Sequence, residues 1–129
     1  MVKTSLVESD IAQGRQLIEA LKSIQSHFQI QAAFWLNRPE VMEWRLFIAT
    51  PLVDQRGPFS TYTEVENALR TNPKLLSISM QEISVVSPND KLVKLVKNAA
   101  AIPPSAPGIR FGRTRIDDTY IEDAYVYRV

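Results

Sequence analysis

Two pairs of strand-like segments, each joined by a short polar turn, constrain the fold of this 129-residue chain most. In the first pair, apolar residues alternate between two faces over residues 30–36 and again over residues 43–50. The turn between them contains Pro39, whose fixed φ suits a tight connection. This pair predicts an antiparallel hairpin.

The second pair spans residues 109–116 and 120–129. Asp117 and Asp118, taken as a two-residue turn, fix the register of this hairpin. The register then brings opposite charges together and apolar residues together. The predicted partners are Arg113 with Glu122, Phe111 with Ala124, Ile109 with Val126, Arg110 with Tyr125, and Thr114 with Ile121.

Three helices are predicted around these hairpins. Ser9 and Asp10 are the expected N-caps of the first helix, and Gly14 on its apolar face predicts a close contact with a neighbouring element. Its apolar positions recur at helical spacing: Ile11, Gly14, Leu17, Ile18, Leu21, Ile24 and Phe28. The single histidine, His27, lies near the end of this helix and is assigned a structural role.

The second helix is predicted to begin at Thr61, where Thr61 and Glu64 have the spacing of a capping box, and a type I turn at residues 54–57 precedes it. The third begins at Ser87 and Pro88, which suit an N-cap and the first helical position. Residues 75–86 fit either a strand with a bulge near Gln81 or a short strand at 83–86, and the short strand is favoured.

The predicted order is therefore α-β-β-α-β-α-β-β. It indicates one α+β domain over residues 1–129, with a mostly antiparallel sheet of about five strands covered by helices on one face. Residues 1–8 are a candidate flexible N-terminus.

Composition narrows the functions. The net charge of +1 does not favour nucleic-acid or membrane binding driven by overall charge. Without cysteine, and with one histidine, neither thiol chemistry nor an ordinary zinc site is available, so no metal or cofactor is predicted. No apolar run reaches the length of a signal peptide or a membrane span, which favours a cytoplasmic protein.

No catalytic constellation is recognisable, so the leading hypothesis is a non-enzymatic accessory or protein-interaction module that binds a protein partner or self-associates. One alternative is a metal-dependent nuclease or phosphoesterase using carboxylates among Asp54, Glu82, Asp117, Glu122 and Asp123. Another is nucleic-acid binding by a local basic face of helix lysines (Lys91, Lys94, Lys97) and strand arginines. The candidate binding residues are Trp44, Arg45, Asp54, Arg56, Arg113, Arg115, Glu122 and Asp123.

Three stretches of the chain, residues 43–54, 83–88 and 120–127, resemble a family of small bacterial proteins of uncharacterised function. The resemblance covers most of the chain. It implies a bacterial cytosolic setting, and it brings no activity, cofactor or site residue.

Overall fold

A computed structural model describes residues 3–24, 28–75 and 78–129. His27, assigned a structural role above, lies outside these residues. Within them the chain is an α+β fold, as predicted. Its elements are α1 (Glu8–Ile24), β1 (Ala32–Arg38), β2 (Glu43–Ala49), α2 (Leu52–Arg56), α3 (Pro58–Arg70), a 3₁₀ turn (Met80–Glu82), β3 (Ile83–Val86), α4 (Lys91–Ala99), β4 (Gly108–Ile116) and β5 (Thr119–Tyr127).

The five strands form one sheet in the order β3-β2-β1-β5-β4. Strands β1–β2, β1–β5 and β4–β5 pair antiparallel, whereas β2 and β3 pair parallel. The sheet is thus mixed, and the prediction of a mostly antiparallel sheet was wrong. The reason is the connection through α2 and α3, which returns the chain to the end of the sheet where β2 began.

Helices cover both faces of the sheet, which corrects the prediction of one covered face. On one face, α1 and α3 pack with the strands in a first hydrophobic cluster that includes Leu17, Val65 and Trp35. On the other face, α4 contributes Val93 and Val96 to a second cluster on the sheet. Strands that are buried on both sides need apolar residues in both alternating phases, as residues 32–36 have.

Both predicted hairpins form. In the second hairpin the predicted register is found on either side of Arg113, but Arg113 and Glu122 are not paired. Arg113 has a φ of 51°, outside the strand region. Ile121 and Ala124 are three residues apart and yet both belong to the second cluster, so the alternation shifts by one residue at this point.

The helix starts differ from the predictions. Helix α1 begins at Glu8, and Asp10 lies in its first turn, where the carboxylate accepts a hydrogen bond from the Val7 N–H at 3.0 Å. Helix α4 has Asp90 as its N-cap, which accepts from the Leu92 N–H at 2.9 Å, whereas Ser87 lies before it. Each segment offered several capping side chains. The Ser87 hydroxyl instead donates to Asp54 at 2.8 Å and accepts from the Asn89 N–H.

Residues 54–56 belong to α2 and do not form the predicted turn. Gly57, with φ 86° and ψ 160°, ends α2 and is the N-cap of α3, and Pro58 takes the first helical position. Thr61 is therefore inside α3, where its hydroxyl donates to the Gly57 carbonyl at 3.0 Å. The short strand at residues 83–86 is confirmed.

Candidate interaction surface

The two edges of the sheet differ in how they are covered. At the β3 edge, the Tyr62 hydroxyl of α3 accepts a hydrogen bond from the Val85 N–H at 3.0 Å. Beside β3, the Lys3 carbonyl accepts from the Trp44 N–H at 2.8 Å, so the N-terminal segment bonds to the outer side of β2 at this residue. Lys3 and buried Leu6 thus make specific contacts within the segment predicted to be flexible. Another strand has little room to pair at this edge.

The β4 edge is open. This strand has nine residues, and within the described part of the chain no segment pairs with its outer side. The Pro107 carbonyl accepts from the Arg128 N–H at 2.8 Å, so residues 107, 109 and 111 bond inward to β5. In an antiparallel pair, alternate residues bond inward, so Gly108, Arg110 and Gly112 direct their N–H and C=O groups outward. These groups form a template for a further strand.

Three arginines and no acidic residue lie along β4. Arg110 donates two hydrogen bonds to Asp123, at 3.1 and 3.0 Å, and this bonding raises the pKa of its guanidinium against the opposing effect of burial. The same guanidinium lies 5.3 Å from the ring centre of Trp44. Arg113 and Arg115 are exposed, and Arg115 lies over the Tyr120 ring.

A cleft of about 390 Å³ opens between α1 and the start of β4. It is lined by Glu8, Ile11, Ala12, Arg15, Pro107, Tyr125 and Tyr127. Tyr125 lies across Gly108, since a Cβ on that glycine would be 2.6 Å from the Tyr125 hydroxyl. Arg15 closes one side by donating to the Pro107 and Arg128 carbonyls. The cleft therefore adjoins the open edge at Gly108.

Tyr127, at the back of the cleft, is held by two hydrogen bonds. The Tyr127 hydroxyl accepts a hydrogen bond from Trp35 Nε1 at 2.9 Å and donates to the Ile11 carbonyl at 2.7 Å. Burial raises the pKa of Tyr127 well above its usual value, although the Trp35 hydrogen bond opposes this. The phenol therefore stays neutral at physiological pH, where it joins α1 to the sheet.

The structure places the predicted binding residues in separate regions. The β4–β5 hairpin holds four of them: Arg113, Arg115, Glu122 and Asp123. Trp44 is buried, and its ring contacts the guanidinium of Arg110 in the same hairpin. The other three lie apart from this group. Arg45 donates to the Gln81 carbonyl and Ser84, whereas Asp54 and Arg56 belong to α2, where Asp54 accepts from the Ser87 hydroxyl.

The carboxylates of the nuclease alternative lie in three regions: Asp54 in α2, Glu82 in the 3₁₀ turn, and Asp117, Glu122 and Asp123 in the β4–β5 hairpin. Within the described residues, no group of three or more Asp, Glu, His or Cys side chains is placed to hold a metal ion. Asp54 bonds to Ser87, and Asp123 bonds to Arg110. Glu82 is buried, where it accepts from the Ser79 N–H and pairs with Lys3 at 3.1 Å.

The basic groups do not form one face either. Helix α4, which carries the lysines, packs on the second cluster, whereas Arg110 lies over Trp44 of the first cluster on the other side of the sheet. Lys91 is 4.0 Å from Asp118 at the hairpin turn. The structure therefore separates the lysine helix from Arg110.

Two features were missed from the sequence. The cleft joins α1 to residues near the C-terminus, and no local pattern signals such a contact. The second is a buried ion triad, in which Lys3 pairs with Asp10 at 2.9 Å and with Glu82 at 3.1 Å. A single lysine near the N-terminus carries no sequence signal for this role.

None of the helices in the described part of the chain combines the length and apolarity needed to cross a bilayer. No family model, curated protein or solved structure matches the chain. The resemblance to small bacterial proteins therefore stays a prediction.

Proposed function

We propose that this chain is a non-enzymatic, cytoplasmic accessory protein that binds an extended segment of a protein partner by adding it as a strand to β4. The observation that carries the proposal is the asymmetry of the sheet edges. Tyr62 and the N-terminal segment occupy the β3 side, while β4 directs the backbone groups of Gly108, Arg110 and Gly112 outward.

The energetics of strand addition indicate what the partner must provide. Antiparallel pairing with three outward residues forms up to about six backbone hydrogen bonds, with a net contribution of about 3–9 kcal/mol. Ordering an extended segment costs roughly 1–2 kcal/mol per residue, so a segment of about five residues loses about 5–10 kcal/mol, which equals or exceeds that gain. Stable binding therefore requires side-chain contacts in addition to the backbone ladder.

Amide hydrogen exchange tests whether the edge is open. In the monomer we expect fast exchange for Gly108, Arg110 and Gly112, and slow exchange for Ile109 and Phe111, which bond to β5. Equal protection of both sets in a verified monomer would contradict an open edge.

Binding is tested with a phage-displayed library of random peptides and a matched pair of variants. Arg110→Ala and Arg110→Pro both remove the guanidinium, but only proline also removes the outward N–H. Peptides selected on the wild type should bind the alanine variant clearly more tightly than the proline variant. Thermal melts establish that both variants are folded.

A second measurement needs no variant. A bound peptide should slow exchange of the Arg110 amide in the wild-type protein. Failure to select any peptide, or selected peptides that leave this amide unprotected, would refute strand addition at β4.

A further inference from the structure

We infer that the strand received at β4 is acidic and carries one large apolar side chain that occupies the cleft between α1 and Gly108. This inference rests on the proposed function and names the chemistry of the partner. Two observations point to it, the charge along the edge and the position of the cleft.

The charge on the edge strand has one sign. Arg110, Arg113 and Arg115 lie on β4 without an acidic residue, and an added strand would run about 5 Å away. The acidic residues of β5 lie one strand further in, at about 10 Å, which is close to the Debye length at physiological salt. Asp123 is also already bonded to Arg110. Because Arg110 is thereby neutralised as well, carboxylates on the incoming strand would meet mainly the charges of Arg113 and Arg115, which are exposed.

The same charges disfavour two other occupants. A second copy of the chain would bring two arginine strands together without an acidic residue on either. A phosphodiester chain would be attracted to the arginines, but it has only acceptors there, so the outward carbonyls of Gly108, Arg110 and Gly112 would gain no hydrogen bonds. A polypeptide supplies both donors and acceptors.

The cleft fits one side chain. A residue paired with Gly108 would direct its side chain to the face that Tyr127, the other partner of Gly108, also occupies. That face holds the cleft, with apolar contacts from Ile11, Pro107 and Tyr125. At about 390 Å³, the cleft is near the lower end of small-molecule pockets, so a single anchor suits it better than a whole ligand.

The test uses fluorescein-labelled peptides of the length of β4. The first alternates glutamate and valine and has a central phenylalanine; the second has lysine for glutamate; the third has alanine for the phenylalanine. In fluorescence anisotropy we expect the first peptide to bind roughly tenfold more tightly than either of the others, with an affinity that falls as salt rises.

Charge reversal locates the contact. Arg113→Glu with Arg115→Glu should weaken the acidic peptide by roughly tenfold or more, because two attractions become repulsions. Lys94→Glu with Lys97→Glu is the matched control, since it changes the net charge equally on exposed positions of α4. Ala12→Phe, at an exposed helix position that lines the cleft, should weaken the phenylalanine peptide and leave the alanine peptide unchanged.

The outcomes separate this inference from the proposed function. If the acidic peptide binds Arg110→Pro as well as Arg110→Ala, strand addition itself fails. If binding depends on the edge but charge reversal has no effect, only the acidic partner is refuted. If the wild-type protein forms a dimer and Arg110→Pro dissociates it, a second copy of the chain occupies the edge. Displacement of the acidic peptide by a thymidine oligonucleotide that binds as tightly as the peptide would indicate that nucleic acid occupies the edge. Either result overturns the inference.

Discussion

The contact between Gly14 of α1 and Tyr127 of β5 gives a prediction that can be worked out atom by atom. A Cβ on Gly14 would lie 2.1 Å from the Tyr127 hydroxyl, 2.9 Å from Tyr127 Cζ and 3.1 Å from Trp35 Nε1. The hydroxyl cannot move freely, because Trp35 Nε1 donates to it and it donates to the Ile11 carbonyl. The close contact predicted for Gly14 from the sequence is thus confirmed.

Gly14→Ala should destabilise the fold. In an exposed helix this change would stabilise by about 1 kcal/mol. Here the added methyl group overpacks a buried site, at a cost of about 1–3 kcal/mol. Displacing the phenol also breaks two hydrogen bonds, each worth about 0.5–1.5 kcal/mol. The sum is a net loss of about 3 kcal/mol in the free energy of unfolding.

A double-mutant cycle measured by urea denaturation checks the cause. Tyr127→Phe should cost about 1–3 kcal/mol by itself, because it leaves the Trp35 N–H without its partner. It also removes the atom nearest the new methyl group, so Gly14→Ala should cost at least about 1 kcal/mol less in that background. If Gly14→Ala stabilises the wild type, or if the two effects add within about 0.5 kcal/mol, the steric account is wrong.

Three further predictions concern buried charge, pH and backbone. Lys3→Met should cost about 3–5 kcal/mol by chemical denaturation, because it leaves Asp10 and Glu82 buried without their cation; a cost under about 1 kcal/mol would contradict the triad. For Lys3, burial lowers the pKa, but the hydrogen bonds and charges of Asp10 and Glu82 outweigh it and raise the pKa above 10.5; Tyr127 is also raised, from 10.0, mainly by burial. Both raised pKa values contribute stability that is complete below about pH 10 and is lost as the pH rises further. The free energy of unfolding should therefore fall in strongly alkaline buffer, and it should fall less in Tyr127→Phe. Gly57→Ala should cost about 1–3 kcal/mol through φ and ψ alone, since no atom lies within 4 Å of the new Cβ; an unchanged melting temperature would speak against this backbone conformation.

Local patterns were sufficient for the hairpins. Alternation over residues 30–36 predicted the first hairpin, and the turn at Asp117 and Asp118 predicted the second. Both predictions needed only local sequence, since the two strands of a hairpin are close in the chain. The position of β3 was not accessible in this way. Its parallel pairing with β2 depends on how α2 and α3 pack, and four residues of alternating sequence fit either direction.

The helix starts show a different limit. Ser9, Thr61 and Ser87 are all good N-caps, and such a cap is worth about 1 kcal/mol. Which candidate is used depends on contacts outside the local pattern, since Asp10 pairs with Lys3 and the Ser87 hydroxyl donates to Asp54. The candidate site follows the same rule, because Arg113 and Arg115 stand out in the sequence of β4, whereas the cleft exists only once α1 lies beside β4.

The break in alternation at Arg113 links the core to the open edge. Phe111 and Ile116 differ in parity, yet both pack against the second cluster, so the hairpin must shift phase between them to keep both on the side of α4. The shift requires Gly112, since a Cβ there would lie 2.3 Å from the Glu122 carbonyl oxygen. Because Ile116 is directed toward α4, its neighbour Arg115 is directed away from it, on the side where it meets Tyr120. The packing of Ile116 on the second cluster thus determines the side of the hairpin on which Arg115 lies, and a substitution at Gly112 should disturb both that cluster and the position of Arg115.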